Sequence, residues 1–146
     1  MIELYCDGGA SPNPGEGGIG FVAFREGEII LRGYQYLGDN ITNNQAEFTA
    51  AVNALGYTIS YLKPEEIQLY TDSMLVYGST LNPGDKGYYN IKDPKLVPFH
   101  EALMELLSKY PAIKTNWVSR KENALADVLS QRARNTRSSK VLQFGE

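Results

Sequence analysis

The chain opens with the stretch Ile2-Glu3-Leu4-Tyr5-Cys6-Asp7-Gly8-Gly9-Ala10-Ser11-Pro12-Asn13-Pro14-Gly15. Residues 2–7 are mostly apolar or β-prone and predict a short strand that ends at Asp7. Residues 8–18 contain five glycines, two prolines and one asparagine, a composition that predicts a loop without regular structure. A strand that delivers an aspartate to a glycine-rich loop is therefore the starting point for the fold.

Two further strands are predicted immediately after this loop, over residues 19–25 and 28–36. Glu26-Gly27 lies between them and is typical of a tight hairpin turn. Three consecutive strands with short connections indicate an antiparallel meander.

A helix is predicted after the meander. Thr42 or Asn43 is a suitable N-cap, apolar residues recur at helical spacing up to Ile59, and Pro64 prevents continuation. The rest of the chain predicts, in order, a strand over 67–71, a short helix over 73–79, a helix over 99–109, a strand over 113–118 and a helix over 122–134.

This order predicts an α/β fold: one mixed sheet of five strands, three antiparallel and then two parallel, with helices packed on both faces. At 146 residues the chain suits a single domain, which we place at 1–135. Residues 136–146 form a tail that is either disordered or paired with a sheet edge.

Composition excludes several classes of protein. The chain is 42% hydrophobic and 21% charged, as in globular proteins, and it has no apolar run of the roughly 20 residues that a membrane helix needs. The single cysteine, Cys6, cannot form an internal disulfide. These features predict a cytoplasmic protein, with no membrane partner, that acts as a monomer.

The charge is unevenly distributed along the chain. The formal net charge is −3, but residues 114–140 alone carry +5, which leaves −8 for the other residues. The asymmetry fits an acidic catalytic body with a basic C-terminal face. A solvated helix followed by an irregular tail would give the same pattern.

Four carboxylates occupy positions that suit chemistry. Asp7 and Asp72 each end a predicted strand, Glu47 lies in the first turn of a helix, and Asp127 lies in the last helix. Strand ends at one edge of a mixed sheet line a ligand-binding crevice. Carboxylates brought together there repel each other unless cations neutralise them, and hard cations such as Mg²⁺ prefer carboxylate oxygens. Taken alone, each residue is more typical of a turn or of a helix start than of a metal site.

The sequences around these carboxylates resemble the four motifs of type 1 ribonuclease H. The first is Asp7-Gly8-Gly9-Ala10-Ser11-Pro12-Asn13-Pro14-Gly15, and the second is Thr42-Asn43-Asn44-Gln45-Ala46-Glu47. The third is Tyr70-Thr71-Asp72-Ser73, and the fourth is Asn123-Ala124-Leu125-Ala126-Asp127. All four occur in the order of the family, within a resemblance that covers residues 2–134. The resemblance implies a ribonuclease H fold.

For the carboxylates, the resemblance implies a metal-binding quartet that holds two Mg²⁺ ions, with Mn²⁺ as a possible substitute. Asp7 would bridge both ions. Glu47 and Asp72 would hold the ion near the leaving oxygen, and Asp127 the ion near the attacking water. Two such ions, roughly 3.5–4 Å apart, serve phosphodiester hydrolysis. The implied reaction is endonucleolytic cleavage of the RNA strand of RNA–DNA hybrids, leaving 5′-phosphate and 3′-hydroxyl ends.

The resemblance also implies substrate contacts from five residues: Gly8, Asn13, Thr42, Asn43 and Asn44. An asparagine amide both donates and accepts hydrogen bonds, which suits the 2′-hydroxyl that distinguishes RNA from DNA. Simple helix capping is the alternative role for Asn43 and Asn44.

The chain departs from the family in three places, so it resembles a short form. Position 74 is Met74 where a glutamine is common, and residues 82–98 lack the basic protrusion of some members. The segment before the last helix contains no histidine. There we expect Arg120 to contribute to catalysis by binding phosphate, and we expect His100 to be dispensable. Trp117 is expected to lie in the core.

Two other functions are consistent with the same motifs. The first is a nuclease of this fold that acts on duplex RNA or DNA, and the second is a catalytically silent module that binds hybrids. Loss of a metal ligand would indicate the silent module, but all four acidic positions are filled.

Overall fold

The computed structural model describes residues 1–145. It contains one mixed sheet with helices on both faces. Its elements are β1 (Ile2–Ser11), β2 (Gly15–Arg25), β3 (Glu28–Ile41), α1 (Asn43–Leu62), β4 (Ile67–Thr71), α2 (Met74–Ser79), α3 (Val97–Lys109), β5 (Ile113–Trp117), α4 (Ala124–Thr136) and β6 (Lys140–Gln143). A 3-10 turn at Lys121–Asn123 precedes α4. The strand order is β5-β4-β1-β2-β3-β6. No helix in this described part of the chain is long and apolar enough to cross a membrane.

The sheet confirms the predicted α/β architecture. β1, β2 and β3 pair antiparallel in sequence, and β4 and β5 then add in parallel on the other side of β1. The predicted sheet had five strands, whereas the observed sheet has six.

The additional strand is β6, which pairs antiparallel with β3 through a register that includes Gly33↔Val141. The Phe144 N–H donates to the Ile30 carbonyl at 2.8 Å, and the Arg32 guanidinium lies 5.3 Å from the centre of the Phe144 ring. Of the two alternatives for the tail, residues 140–143 therefore adopt the paired one. Pairing satisfies backbone groups of β3 that would otherwise form an open sheet edge.

The prediction that residues 8–18 form a loop is wrong, because β1 runs to Ser11 and β2 begins at Gly15. Only 12–14 form the turn. The glycines serve close packing instead: a Cβ placed on Gly8 would lie 2.2 Å from the Ala46 carbonyl oxygen of α1, and one on Gly18 would lie 2.7 Å from the Ser130 carbonyl oxygen of α4. Only a residue without a side chain allows helices this close to the strands.

The main core lies between the sheet and α1. Ile2, Leu4 and Cys6 alternate along β1 on this face and are buried, as expected for a strand with period two. Phe21 of β2 is also buried and stacks on Tyr57 of α1, with ring centres 5.3 Å apart. Fully burying a side chain of this kind contributes about 1.5–3 kcal/mol. These contacts fix α1, and with it Glu47, against β1.

Candidate active site

The candidate site lies where the parallel strands stop and β1 continues. The last β1–β4 pair is Cys6↔Thr71, and the last β4–β5 pair is Thr71↔Trp117. Asp7 and Asp72 are the next residues of their strands, so their carboxylates meet at the carboxyl edge of the parallel part of the sheet.

An open pocket of about 250 Å³ at this edge gathers the predicted carboxylates. Its lining residues are Asp7, Gly8, Gly9, Ala10, Asn43, Glu47, Asp72, Arg120, Asp127 and Arg134. β1, α1, the end of β4 and α4 each contribute one of the four acids, so residues 120 positions apart in sequence become neighbours. Arg120 also lines this pocket, as its expected role requires.

Asp7 is the electrostatic centre of the pocket. Burial raises the pKa of its carboxyl to about 8, and the negative charge of Asp72, a hydrogen bond to Asp127 and the charge of Asp127 act in the same direction. The raised pKa therefore reflects a buried carboxyl with negatively charged neighbours.

Glu47 lies between a negative and a positive neighbour. Burial raises the pKa of its carboxyl, a hydrogen bond with Ser73 lowers it, the charge of Asp72 raises it and the charge of Arg120 lowers it. Arg120 therefore stands close enough to Glu47 to compensate part of its charge.

Asn123 is a buried residue beside the pocket that the sequence indicates only as part of the fourth motif. It is 1% exposed, and its Nδ2 donates to the Cys6 carbonyl at 2.8 Å and to Asp72 Oδ2 at 3.1 Å. One buried amide thus ties the start of α4 to β1 and orients the carboxylate of Asp72. Its position four residues before Asp127 was the available signal.

The predicted substrate-binding residues divide into two groups. Thr42 caps α1, because its hydroxyl accepts the Gln45 N–H at 3.1 Å while the Gln45 side chain accepts the Thr42 N–H, which is a capping box. Asn13 Oδ1 accepts the Asn43 N–H at 3.0 Å and so joins the β1–β2 turn to α1. Both residues have structural roles and do not line the pocket.

Asn43 lies inside the pocket. Its Oδ1 accepts the Ala10 N–H at 2.8 Å, which leaves its NH₂ group as a donor directed away from that bond. Asn44 is the next residue of α1 and is exposed. Gly8 lines the pocket wall, where its hydrogen side chain permits the contact with α1.

The structure also shows the surroundings of Trp117 and His100. Trp117 is 46% exposed, so its predicted place in the core is wrong: it ends β5, an edge strand of the sheet, and its indole N–H donates to the Asp72 carbonyl at 3.1 Å. His100 Nε2 lies 3.1 Å from the Ser79 carbonyl oxygen, and its ring packs edge-on to Phe48. It is not among the residues that line the pocket.

The donor set fits divalent cations. Within residues 1–145, no three Asp, Glu, His or Cys side chains stand close enough together to hold a metal ion as they lie; the four acids line an open pocket instead. An open set of carboxylates suits Mg²⁺, which keeps several of its waters and binds through one or two carboxylates. A cation would also oppose the effects of burial and of neighbouring negative charge that raise the pKa of Asp7.

This electrostatic arrangement predicts how stability depends on pH. The folded state keeps the Asp7 proton to about pH 8, whereas an unfolded chain releases it near pH 4. Because the folded state then binds more protons, the free energy of unfolding falls as pH rises from about 4 to 8. We expect a loss on the order of 2 kcal/mol, since the open pocket screens part of the effect.

Chemical denaturation across this pH range, in EDTA and in Mg²⁺, measures the loss. Mg²⁺ should restore stability most strongly at pH 8, because it binds the deprotonated carboxylates. Glu101→Gln, which alters an exposed carboxylate of α3, should leave the difference between the two curves unchanged. Parallel curves with and without Mg²⁺ would contradict the electrostatic description of the pocket.

Comparison with known proteins places this geometry among nucleases. The family model described as RNase H matches residues 1–135. A ribonuclease H of Geotalea uraniireducens is 37% identical over 142 residues, which cover 90% of this chain and 92% of that protein. Other relatives are longer: the chain spans 35% of the bifunctional protein Rv2228c of Mycobacterium tuberculosis, at 28% identity.

Solved structures show the same likeness. The crystal structure of RNase H1 from Halobacterium salinarum aligns with a TM-score of 0.83 and 30% identity, covering 92% of this chain and 98% of that one. The structure of LC11-RNase H1 in complex with an RNA/DNA hybrid aligns with a TM-score of 0.83 and 29% identity, covering 94% and 99%.

Proposed function

Because this chain belongs to the RNase H family, we propose that it is an endoribonuclease that hydrolyses the RNA strand of RNA–DNA hybrids with two divalent metal ions. The observation that carries the proposal is the single pocket that collects Asp7, Glu47, Asp72 and Asp127 around a carboxyl whose pKa is raised to about 8. A cluster of carboxylates of this kind suits divalent cations, and the similar LC11-RNase H1 was solved with an RNA/DNA hybrid.

The four carboxylates would hold two Mg²⁺ ions, or Mn²⁺ in their place. When bound, the ions supply an activated water and neutralise charge at the leaving oxygen. Water adds to the scissile phosphorus, the bond from phosphorus to the 3′ oxygen breaks, and a proton passes to that oxygen. The products carry 5′-phosphate and 3′-hydroxyl ends.

The remaining residues of the pocket orient the substrate. The NH₂ group of Asn43 donates to the nucleic acid, and the exposed amide of Asn44 lies next to it for contact with a ribose 2′-hydroxyl. Gly8 forms the wall beside Asp7, while Thr42 and Asn13 keep the start of α1 in place through their hydrogen bonds. Asn123 holds the Asp72 carboxylate in one orientation.

Cleavage of three end-labelled substrates of one sequence tests the proposal. We expect the hybrid to be cut in Mg²⁺ and not in EDTA, while duplex DNA remains intact. Duplex RNA measures whether recognition needs the DNA strand. Preferential cutting of duplex DNA would identify a nuclease of this fold with another substrate. Tight hybrid binding without any cleavage would identify a silent binding module. Gel filtration checks the expected monomer.

Alanine substitutions at Arg120 and at His100 distinguish phosphate binding by an arginine from proton transfer by a histidine. An arginine side chain does not serve as a general base in proteins, but the Arg120 guanidinium beside Glu47 is placed to bind the scissile or released phosphate. Arg120→Ala should lower turnover by about tenfold, roughly 1.4 kcal/mol of barrier. His100→Ala should leave turnover nearly unchanged, because this ring packs on Phe48 outside the pocket.

Both alanine variants are compared on one hybrid under single-turnover conditions. Thermal unfolding is recorded for each, because His100→Ala removes a packing contact and is the control for stability alone. A crippled His100→Ala beside a fully active Arg120→Ala would overturn these roles.

A further inference from the structure

The side chain of Arg134 follows a channel made by two glycines that face each other across β1 and β2. Gly9 and Gly18 are register partners. A Cβ on Gly18 would lie 2.9 Å from Cγ of Arg134, and a Cβ on Gly9 would lie 3.0 Å from Nη1. The aliphatic stem therefore fills the space over Gly18, and the guanidinium is held over Gly9 at the pocket.

The guanidinium of Arg134 has unused hydrogen-bonding capacity. In the part of the chain that the structure describes, the one ion pair joins Arg137 to Glu16 at 2.7 Å, and Arg134 takes no part in it. Arg134 is nevertheless half-buried and lines the pocket that contains the four carboxylates. A guanidinium carries five N–H donors in a planar fork that matches phosphate oxygens.

A second donor borders the same place. The Asn43 side chain accepts the Ala10 N–H through Oδ1, and that oxygen would lie 3.8 Å from a Cβ on Gly9. Its NH₂ group is left as a donor beside the Arg134 guanidinium. Two donor groups over a glycine, where no side chain obstructs close approach, form a site for an anion.

We infer that Arg134 and Asn43 form a phosphate subsite that binds one backbone phosphate of the nucleic acid, separate from the scissile phosphate at the carboxylates. This inference rests on the proposed function, because a hybrid positioned at the carboxylates brings further phosphates along each strand, one per about 3.4 Å of helix axis. The subsite fixes the register of the hybrid relative to the four acids. Arg134 is thus a binding residue, and Arg120 beside Glu47 serves a different phosphate.

The first measurement is hybrid affinity in EDTA, where no cleavage occurs, by fluorescence anisotropy of the full chain. Arg134→Met keeps an unbranched stem over Gly18 and removes the charge. We expect about tenfold weaker binding at low salt and a slope of log affinity against log salt that is smaller by up to about one unit. Arg25→Met makes the same change at the far end of β2 and should stay within about twofold of wild type. Arg134→Gln is measured alongside, so that a folding defect of one variant does not decide the result.

The second measurement locates the phosphate. Hybrids carry a single neutral methylphosphonate at each successive position, in the DNA strand in one series and in the RNA strand in the other. At one position, the methylphosphonate should weaken hybrid binding by wild type but should not weaken binding by Arg134→Met any further. The strand and position of that methylphosphonate identify the bound phosphate. If Arg134→Met binds like wild type, or keeps the same sensitivity at every position, the subsite is refuted.

The metal-dependent cleavage of unmodified hybrid by wild type is recorded in parallel. Absence of that cleavage counts against the proposed nuclease and leaves the binding comparison informative. If wild type cleaves normally, but wild type and Arg134→Met are equally sensitive to the methylphosphonate at every position, the result counts against the subsite alone.

Discussion

Asp7→Asn should lower hybrid cleavage by roughly a thousandfold or more, about 4 kcal/mol of barrier. Asp7 lies at the centre of the acidic pocket, next to both Asp72 and Asp127, and in the proposed mechanism it is a metal ligand. Removing its charge would weaken metal binding while deleting no core contact. Asp72→Asn should act in the same way.

The same substitution should stabilise the protein in EDTA at pH 8. A neutral amide has no charge to bury and no charge to repel Asp72 and Asp127, so the effects that raise the pKa of Asp7 disappear. The expected pattern is lost activity together with an increased midpoint of thermal unfolding. Asp39→Asn, at an exposed position of β3, is the matched control and should change neither quantity. Near-normal Mg²⁺-dependent cleavage by Asp7→Asn or Asp72→Asn would remove the metal assignment.

Asn123→Asp should produce the largest loss of stability, on the order of 3–5 kcal/mol at pH 8. The amide NH₂ of Asn123 stands between two acceptors, the Cys6 carbonyl and the Asp72 carboxylate. A carboxylate in this buried position would face both of them with no donor. Its proton would therefore be retained in the folded state, and the loss should diminish as pH falls, because a protonated acid donates one bond.

Chemical denaturation at pH 5 and pH 8 measures this effect. Asn123→Leu has nearly the same volume and no charge, so it should cost on the order of 2 kcal/mol at both pH values by leaving the Cys6 carbonyl unpaired. Asn90→Asp, at an exposed position of the connection before α3, controls for the added charge. A mild, pH-independent effect of Asn123→Asp would show that the buried amide is replaceable.

The elements that follow from local patterns were predicted well. Strands β4 and β5, and helices α1 and α3, lie within about two residues of their predicted bounds, because apolar periodicity and proline positions determine them locally. The four predicted carboxylates meet in one pocket: Asp7, Glu47, Asp72 and Asp127. The motifs around these residues predicted this grouping, whereas no one of the four residues did so alone.

The failures occurred where tertiary contacts override local composition. Glycines in residues 8–18 indicate a loop by propensity, but Gly8 and Gly18 lie in strands that α1 and α4 approach too closely for any side chain. The roles of Arg134 and Asn123 depend on contacts with Gly9 and Cys6, which are more than 100 residues away in sequence. No local pattern encodes such distances. Trp117 was assigned to the core by residue type, yet β5 is an edge strand of the sheet.

The position of Trp117 makes the protein its own optical reporter. It is the single tryptophan of the chain, it is partly open to solvent, and its indole N–H is bonded to the carbonyl of Asp72. Excitation at the red edge of the absorption band selects this one chromophore over the ten tyrosines. Any rearrangement of the Asp72 peptide is therefore transmitted directly to the emitting ring. Titrations of Mg²⁺, and of a hybrid in EDTA, become readable as emission changes without a label or a turnover.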